Sequence, residues 1–251
     1  MRAINKRVGR LKYRNNKLTA IVAVIIVAMA SFIVVNISIS KETMKNNERL
    51  QTSGKKILID AGHGGMDGGT SSKSGTVEKN INLSIAAKLK VNLQNLGYEV
   101  VMTREDDTGL YLSSGTIRSK YMEDLRNRCN LKESSNCDMF VSIHLNYFTQ
   151  SKYYGAQVWY SEYKDSALLA GIIQKNLKED LDSSNKRVQK PAKSAYRILR
   201  ENDTMPSVIV ECGFLSNYEE EEKLKSDAYQ EKIADSISKS IGEYYISGTI
   251  E

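Results

Sequence analysis

Histidine and cysteine are scarce in this 251-residue chain, which has two histidines and three cysteines. The cysteines include no C-x-x-C pair, and this argues against a zinc site built from thiolates. The glycine run G-H-G-G-M-D-G-G lacks the third glycine of G-x-G-x-x-G and is followed by no G-K-[ST], so it does not match a phosphate-binding loop. The sequence also lacks a G-x-S-x-G elbow, the motif that carries the nucleophilic serine in α/β-hydrolases.

Positive charge is concentrated at one end of the chain, whose net charge is +6. Seven of the 36 basic residues and none of the 30 acidic residues lie within 1–40, so the rest is nearly neutral. A nucleic-acid-binding domain would carry a basic patch of its own. We therefore interpret the basicity as a membrane-topology signal and expect no nucleic-acid partner.

An uncharged, largely apolar stretch at 18–39 follows the basic residues. Its length matches the roughly 20 apolar residues that span a bilayer as a helix. We predict a cytoplasmic basic segment at 1–17, an uncleaved transmembrane signal anchor at 18–39 and a chain that continues outside the membrane. The alternative is a signal peptide cleaved after Ala30, which would give a secreted protein.

The remainder of the chain reads as a polar linker at 40–55 and one domain at 56–251. Apolar periodicity predicts strands that alternate with helices, which indicates a layered α/β domain behind the N-terminal transmembrane helix. The predicted strands are 56–60, 98–102, 139–144, 155–160, 196–199 and 207–212, and the predicted helices are 79–96, 117–132, 165–181, 219–225 and 228–245.

Both histidines follow apolar runs that read as strands. Ligands gather beyond the carboxyl ends of strands in open α/β sheets, so His63 and His144 are candidates for one shared metal site. For either histidine alone, an ordinary core or surface residue would be the favoured interpretation, and the pair together reverses that preference. Glu78 is the best candidate for a third ligand, although an acid at the start of a helix can also serve the helix dipole.

Glu211 is a carboxylate at the end of an apolar strand, where desolvation disfavours its charge. Beside a metal it could act as a general base, and the alternative is a structural salt bridge. Cys129 and Cys137 are close enough in sequence for a disulfide, or they could be free thiols, whereas Cys212 reads as a small core residue.

Four blocks of the sequence carry a family resemblance: I-L-I-D-A-G-H-G-G-M-D-G-G, V-E-K-N-I-N-L-S-I-A, D-M-F-V-S-I-H-L-N and M-P-S-V-I-V-E-C-G-F-L-S-N. In this order they resemble the zinc-dependent N-acetylmuramoyl-L-alanine amidases of the third amidase class, over about 56–245. The resemblance implies a mixed six-stranded sheet flanked by helices. It also implies that His63, Glu78 and His144 bind one Zn²⁺ and that Glu211 is the catalytic carboxylate.

The same resemblance implies hydrolysis of the amide between N-acetylmuramic acid and L-alanine in peptidoglycan. A membrane-anchored minimal amidase is similar to the germination-specific amidases, which act in spore cortex maturation and muramic-δ-lactam formation, in the forespore intermembrane space. Departures at Ala61, Leu145 and Glu133 touch no ligand. The alternatives are a non-catalytic peptidoglycan-binding module and another cell-wall metallohydrolase, such as a deacetylase. Since a wall-binding module and an occluding helix are not evident, we expect an activating or zinc-stabilising protein partner.

Overall fold

The computed structural model describes residues 54–112 and 114–247, together with the helical positions Met29, Ile33 and Ile37. Apart from those three positions, the predicted anchor at 18–39 lies outside the described residues, as do the segment at 1–17 and nearly all of the linker at 40–55. Among the residues that are described, none of the helices combines the length and the apolar character needed to cross a membrane.

The chain divides into two units, Met1–Leu50 and Gln51–Glu251, and the strands and helices considered below belong to the second. The strands are β1 (Lys56–Ala61), β2 (Glu99–Met102), β3 (Met139–Asn146), β4 (Gln157–Tyr160), β5 (Lys190–Pro191) and β6 (Ser207–Phe214). The helices are α1 (Glu78–Asn95), α2 (Ile117–Ser134), α3 (Ser166–Asp180), α4 (Arg197–Arg200), α5 (Tyr218–Lys225) and α6 (Asp227–Ser247).

The six strands form one mixed sheet in the order β2-β1-β3-β6-β4-β5. Strands β2, β1, β3 and β6 run parallel, β4 pairs antiparallel with β6, and β5 runs parallel to β4. The layered α/β domain and the mixed six-stranded sheet flanked by helices are therefore confirmed. Because β1, β3 and β6 are central and parallel, their carboxyl ends open at the same edge of the sheet.

One face of the sheet is covered by α1, α3 and α6. In α1, apolar residues recur every fourth position, which places them on one side of the helix. Ile81, Ile85, Leu89 and Leu93 are buried there against the sheet, and Gly97, with φ +93°, lets the chain turn after the helix. This face is the main hydrophobic core.

The other face of the sheet packs against α2 and α4 and changes from apolar to polar along the strands. Leu58, Phe140 and Ile209 are buried near the start of β1, β3 and β6. Side chains alternate along a strand, so residues two positions apart share a face. His144 and Glu211 therefore lie on this second face, beyond its apolar part.

The prediction of a strand at 196–199 is wrong. Residues 197–200 form the single helical turn α4, and the edge strand β5 lies earlier, where Lys190–Pro191 pairs with Trp159 and Tyr160. Ile198 and Leu199 are both buried in the second core cluster, whereas successive residues of a strand would point to opposite faces. A proline in β5 fits an edge strand, which need not donate from every residue.

All three cysteines lie within the described residues and are free thiols. Cys129 and Cys212 are buried on opposite faces of the sheet, and Cys137 is half-buried. The reading of Cys212 as a small core residue is confirmed.

Candidate active site

The described residues include one group of side chains suited to a metal ion, formed by His63, Glu78 and His144. One ligand-type atom from each residue lies within 4.8 Å of the others. Glu78 Oε1 is 3.3 Å from His63 Nε2 and 3.1 Å from His144 Nδ1. The two imidazole rings meet edge to face with their centroids 4.9 Å apart. The fold thus brings together three donors that are separated by up to 81 positions in the sequence.

Glu78 is the first residue of α1, and its carboxylate is held from several sides. Its Oε2 accepts a hydrogen bond from Thr70 N at 2.8 Å, and its Oε1 accepts one from Leu145 N at 3.0 Å. Asn82 Nδ2, one turn along the helix, donates to Oε1 at 3.2 Å. A carboxylate at a helix N-terminus is also favoured by the helix dipole. The carboxylate therefore has little freedom to rotate away from the histidines.

Asp67 orients the imidazole of His63 from the side opposite Glu78. Asp67 Oδ2 lies 2.7 Å from His63 Nδ1, which leaves Nε2 facing Glu78. Burial lowers the pKa of His63, but hydrogen bonds and charge from Asp67 and Glu78 outweigh burial and raise that pKa to about 10. Two carboxylates around one imidazole make this position favourable for positive charge. Such carboxylate–histidine pairs commonly support metal ligands.

Two glycines leave the space that these side chains occupy. A Cβ on Gly62 would lie 2.4 Å from the ring of His144. A Cβ on Gly69, whose φ is +68°, would lie 2.6 Å from both Glu78 Oε2 and the ring of His63. No side chain beyond hydrogen fits at either position without moving a ligand-type residue. The glycines therefore permit close packing around the three donors.

Two arginines donate hydrogen bonds to backbone carbonyls of the loop that carries His63. Arg104 donates to Ala61 O at 2.9 Å and to Gly62 O at 3.0 Å. Arg128 donates to Ala61 O at 3.0 Å and to His63 O at 2.6 Å. Both guanidinium groups are buried, so charge-assisted hydrogen bonds fix the loop to the segment that follows β2 and to α2.

Glu211 is 6% exposed, and it lies directly across from His144 in the pairing of β6 with β3. Its Oε1 is 3.3 Å from the hydroxyl of Tyr196, while no described residue hydrogen-bonds its Oε2. Burial raises the pKa of the Glu211 carboxyl above its ordinary value. A buried carboxylate with one free oxygen beside a metal-type cluster has the character of a proton acceptor.

The positions of His144 and Glu211 within their strands differ from the prediction. β3 continues two residues beyond His144 to Asn146, and β6 continues three residues beyond Glu211 to Phe214. The pairing of these strands shifts register between His144 and Asn146, so the extension is irregular. The irregularity occurs next to the site, where such bulges commonly redirect side chains.

These side chains share a cleft of about 410 Å³ on the second face of the sheet. Tyr121 and Leu125 of α2 line one side, and Tyr196 and Arg197 line another. The side chains of His63 and His144 remain 21% and 22% exposed at the floor. The cleft is therefore open to a ligand that approaches from solvent.

Comparison with known proteins identifies the family. A family model described as N-acetylmuramoyl-L-alanine amidase matches residues 57–243. The chain belongs to this amidase family. The match covers nearly all of the folded domain and includes His63, Glu78, His144 and Glu211, so the resemblance carried by the four sequence blocks is confirmed.

Individual amidases of this family are similar over most of the chain. The germination-specific N-acetylmuramoyl-L-alanine amidase of Bacillus subtilis is 39% identical over 78% of this chain and 82% of the relative. The CwlD amidase of Clostridioides difficile, solved in complex with the GerS lipoprotein, is 47% identical, with a TM-score of 0.73 over 76% of this chain and 98% of that one. An N-acetylmuramoyl-L-alanine amidase from Clostridium difficile 630 is 32% identical, with a TM-score of 0.67 over 78% of this chain and 98% of that one.

Two residues of the amidase site are missing from the sequence-based prediction. Asp67 has a local signal, because it lies four residues after His63 inside the same glycine run. Tyr196 has no such signal, since it lies in a segment whose pattern predicts a strand. Its hydrogen bond to Glu211 depends on where the α4 turn packs against the second face of the sheet.

Proposed function

We propose that this amidase is zinc-dependent and hydrolyses the amide bond between N-acetylmuramic acid and L-alanine in peptidoglycan. The observation that carries the proposal is the position of Glu211, which pairs with His144 between β6 and β3 and so lies beside the cluster of two histidines and a glutamate. The arrangement matches the needs of metal-assisted hydrolysis: three protein donors for the metal and a separate base.

His63, Glu78 and His144 fit a zinc ion by their chemistry. Two neutral imidazoles and one carboxylate are a ligand set that zinc hydrolases use, with a further position left for water or substrate. The carboxylates of Asp67 and Glu78, which lie on either side of His63, add negative charge that favours a bound cation. When bound there, zinc would polarise the substrate carbonyl and acidify water.

Glu211 would then carry out the proton transfers. Its carboxylate accepts a proton from the attacking water as the water oxygen bonds to the lactyl carbonyl carbon. The same proton passes to the alanine nitrogen as the carbon–nitrogen bond breaks, which releases a lactyl carboxyl group and a peptide with a free amino terminus. Burial keeps the carboxylate poorly solvated and raises its pKa, and a raised pKa suits a group that accepts a proton from water.

The openness of the cleft suits a polymeric substrate. A glycan strand with attached peptides cannot enter an enclosed cavity, whereas the exposed faces of His63 and His144 can be reached from outside. The cleft is lined mainly by side chains of α2, α4 and the strand ends. We place the muramic acid–alanine bond across the floor of this cleft, next to Glu211.

We further propose that the enzyme is tethered outside the cytoplasmic membrane by residues 18–39. The apolar length of that segment and the basic residues before it support this topology. The similarity to a germination-specific amidase supports a role in spore cortex maturation, with muramic-δ-lactam as the later product. In a spore former the domain would then face the forespore intermembrane space.

A protein partner is the remaining part of the proposal. The CwlD amidase of Clostridioides difficile was solved in complex with the GerS lipoprotein. By analogy, we propose that an outside protein assists this amidase in holding zinc or in reaching the wall. Full zinc occupancy and rapid turnover by the purified domain alone would argue against a required partner.

One experiment tests the activity and the metal together. The purified domain 56–251 is analysed for zinc, then incubated with peptidoglycan whose fragments are examined by mass spectrometry. When zinc is added in excess, we expect binding to saturate at about one zinc per chain and the digest to contain fragments with newly freed peptide amino termini. Freed acetate would indicate a deacetylase instead. Binding to the wall without any cleavage, in a zinc-loaded sample, would indicate a non-catalytic module.

A further inference from the structure

We propose that Tyr196 is a positioning residue whose hydroxyl holds Oε1 of Glu211 and so fixes the orientation of the carboxylate that transfers the proton. The inference rests on the proposed function, because it assigns Tyr196 a role in the reaction of Glu211. In this assignment Tyr196 does not act on the reacting bond itself. It acts through the carboxylate that it holds.

The contacts of Glu211 distinguish its two oxygens. The Tyr196 hydroxyl donates to Oε1 at 3.3 Å, and it is the single hydrogen-bond donor to Glu211 within the described part of the chain. Oε2 is buried and receives no hydrogen bond from the described residues. A glutamate with neither oxygen held could rotate about its last torsion, which is broad and two-fold. The tyrosine therefore restricts this rotation and fixes the plane of the carboxylate.

Tyr196 itself is held in place by an aromatic residue of β4. Its ring packs on Trp159 of β4, with centroids 5.4 Å apart and planes inclined by 58°. β4 pairs with β6, so that Trp159 lies across from Ile209 and Gln157 lies across from Glu211. The tyrosine is thus anchored to the strand beside the one that carries its partner. Its ring cannot swing away without losing this aromatic contact.

A buried lysine fixes the helical turn that follows Tyr196. Lys132 of α2 is fully buried, and its Nζ donates to Ile198 O and Glu201 O at 3.0 Å each. Arg197 pairs with Glu201 across the same turn at 2.7 Å. A desolvated ammonium group is costly to bury unless its donors are used. Here two of its hydrogen bonds hold one carbonyl within α4 and one directly after it, which keeps Tyr196 at its distance from Glu211.

The variant that isolates the hydroxyl is Tyr196→Phe, which retains the ring and its packing on Trp159. We expect kcat for amide cleavage to fall by roughly tenfold, as for loss of one hydrogen bond to a charged group. KM, zinc content and the melting temperature should stay near wild-type values. The matched control is Tyr244→Phe, which removes the hydroxyl of a half-buried tyrosine on α6, and it should leave all four quantities unchanged.

A second variant keeps the test informative if the ring matters for folding. Tyr196→Ala removes ring and hydroxyl together, so it should reduce the melting temperature as well as kcat. A structural role would show itself in Tyr196→Phe as a loss of zinc or of thermal stability alongside kcat. That result, or an unchanged kcat in Tyr196→Phe, would overturn the proposal.

Failure of this inference is distinguishable from failure of the proposed function. If the wild-type protein cleaves the amide, Glu211→Ala abolishes cleavage and Tyr196→Phe is fully active, then only the positioning role is wrong. If zinc-loaded wild-type protein releases no peptide from peptidoglycan, the proposed function is wrong, and the role of Tyr196 is wrong with it.

Discussion

His144 and Glu211 are directly paired residues on the neighbouring parallel strands β3 and β6. Paired residues on adjacent strands point to the same face, and the strands are about 4.8 Å apart. A shift of one residue in this pairing would turn Glu211 into the main core and bring Val210 to the cleft. The register of two buried strands therefore determines that the proposed base lies beside a proposed ligand.

The metal assignment predicts a loss of zinc when a ligand is removed. His144→Ala leaves two of the three donors, so stoichiometric zinc should be lost, as measured by metal analysis after dialysis. Glu211→Ala serves as the control, because it changes a neighbouring cleft residue that is not a proposed ligand. Retention of one tightly held zinc by His144→Ala would remove His144 from the set.

The role of Glu211 predicts a separation between turnover and metal content. Glu211→Ala should reduce amide cleavage by about 10²- to 10⁴-fold, the usual contribution of a general base. Zinc content should remain near that of the wild type. Thermal stability should be equal or slightly higher, because a buried charge with a free oxygen is gone. A variant that lost its zinc would instead make Glu211 a ligand.

The packing of Gly62 predicts a steric effect on the same site. Gly62→Ala would place a Cβ 2.4 Å from the His144 ring, so the ring must move. We expect zinc affinity to fall by about 10- to 100-fold, as for changes that disturb the support of a ligand. Competition with a chelator would measure it.

Gly171→Ala is the matched control for this substitution. Gly171 lies in α3, and its added Cβ would approach a flexible glutamine side chain at 3.4 Å. Alanine in a helix interior is favoured over glycine by about 1 kcal/mol, so stability should rise slightly with zinc affinity unchanged. Equal zinc affinities in the two variants would contradict the steric argument.

The buried Asp60 predicts how stability depends on pH. Burial raises the pKa of Asp60, but the charge of Arg128 and hydrogen bonds from Ser142 and Arg128 outweigh it, so the pKa lies below its ordinary value. A carboxyl group with a lowered folded-state pKa stabilises the fold above its unfolded pKa of about 3.9. This stabilisation is lost as the pH falls through the folded-state pKa.

Asp60→Asn should therefore lower the free energy of unfolding at pH 7 by about 3 kcal/mol, because it leaves a buried arginine with one fewer charged partner. The difference from wild type should shrink below about pH 4. Asp180→Asn is the control, since Asp180 pairs with Lys239 at a partly exposed site, at 3.3 Å, and should matter little. Urea unfolding between pH 7 and 3 would measure both. A constant difference across that range would contradict the assignment.

The predicted anchor has a direct test. If residues 18–39 are retained, the mature protein begins near its first residue and fractionates with the membrane. Labelling from each side should find the N-terminus inside and the folded domain outside. Amino-terminal sequencing that found a mature start at Ser31 would replace the anchor with a cleaved signal and give a secreted enzyme.

Local pattern was enough to predict most of the elements. Apolar residues at every fourth position identify α1 within one residue at each end, because a helix buries one side. These residues are Ile81, Ile85, Leu89 and Leu93. β1, β3 and β6 are recognisable as short apolar runs, since central parallel strands are buried on both faces. The pattern failed at 196–199, where two adjacent apolar residues are buried by a helical turn.

The sequence also indicated which residue types make up the candidate site, but it did not indicate how those residues are arranged in space. Two histidines after apolar runs, a glutamate at a helix start and a carboxylate in an apolar run mark the four main residues of the cleft. Asp67 and Tyr196 were missed. Their importance comes from distances of 2.7 Å to His63 and 3.3 Å to Glu211, which no spacing in the chain expresses.

The sequence by itself determined which segments form helices and buried strands and which residue types are available for metal-assisted hydrolysis, because these depend on neighbours within a few positions. Only the tertiary structure decided the strand order, the antiparallel pairing of β4 and the hydrogen bond from Tyr196 that orients Glu211. The physical reason is that these features arise where distant segments pack together. Lys132 on α2 reaches the carbonyls of α4, and Tyr196 then meets Glu211 on β6.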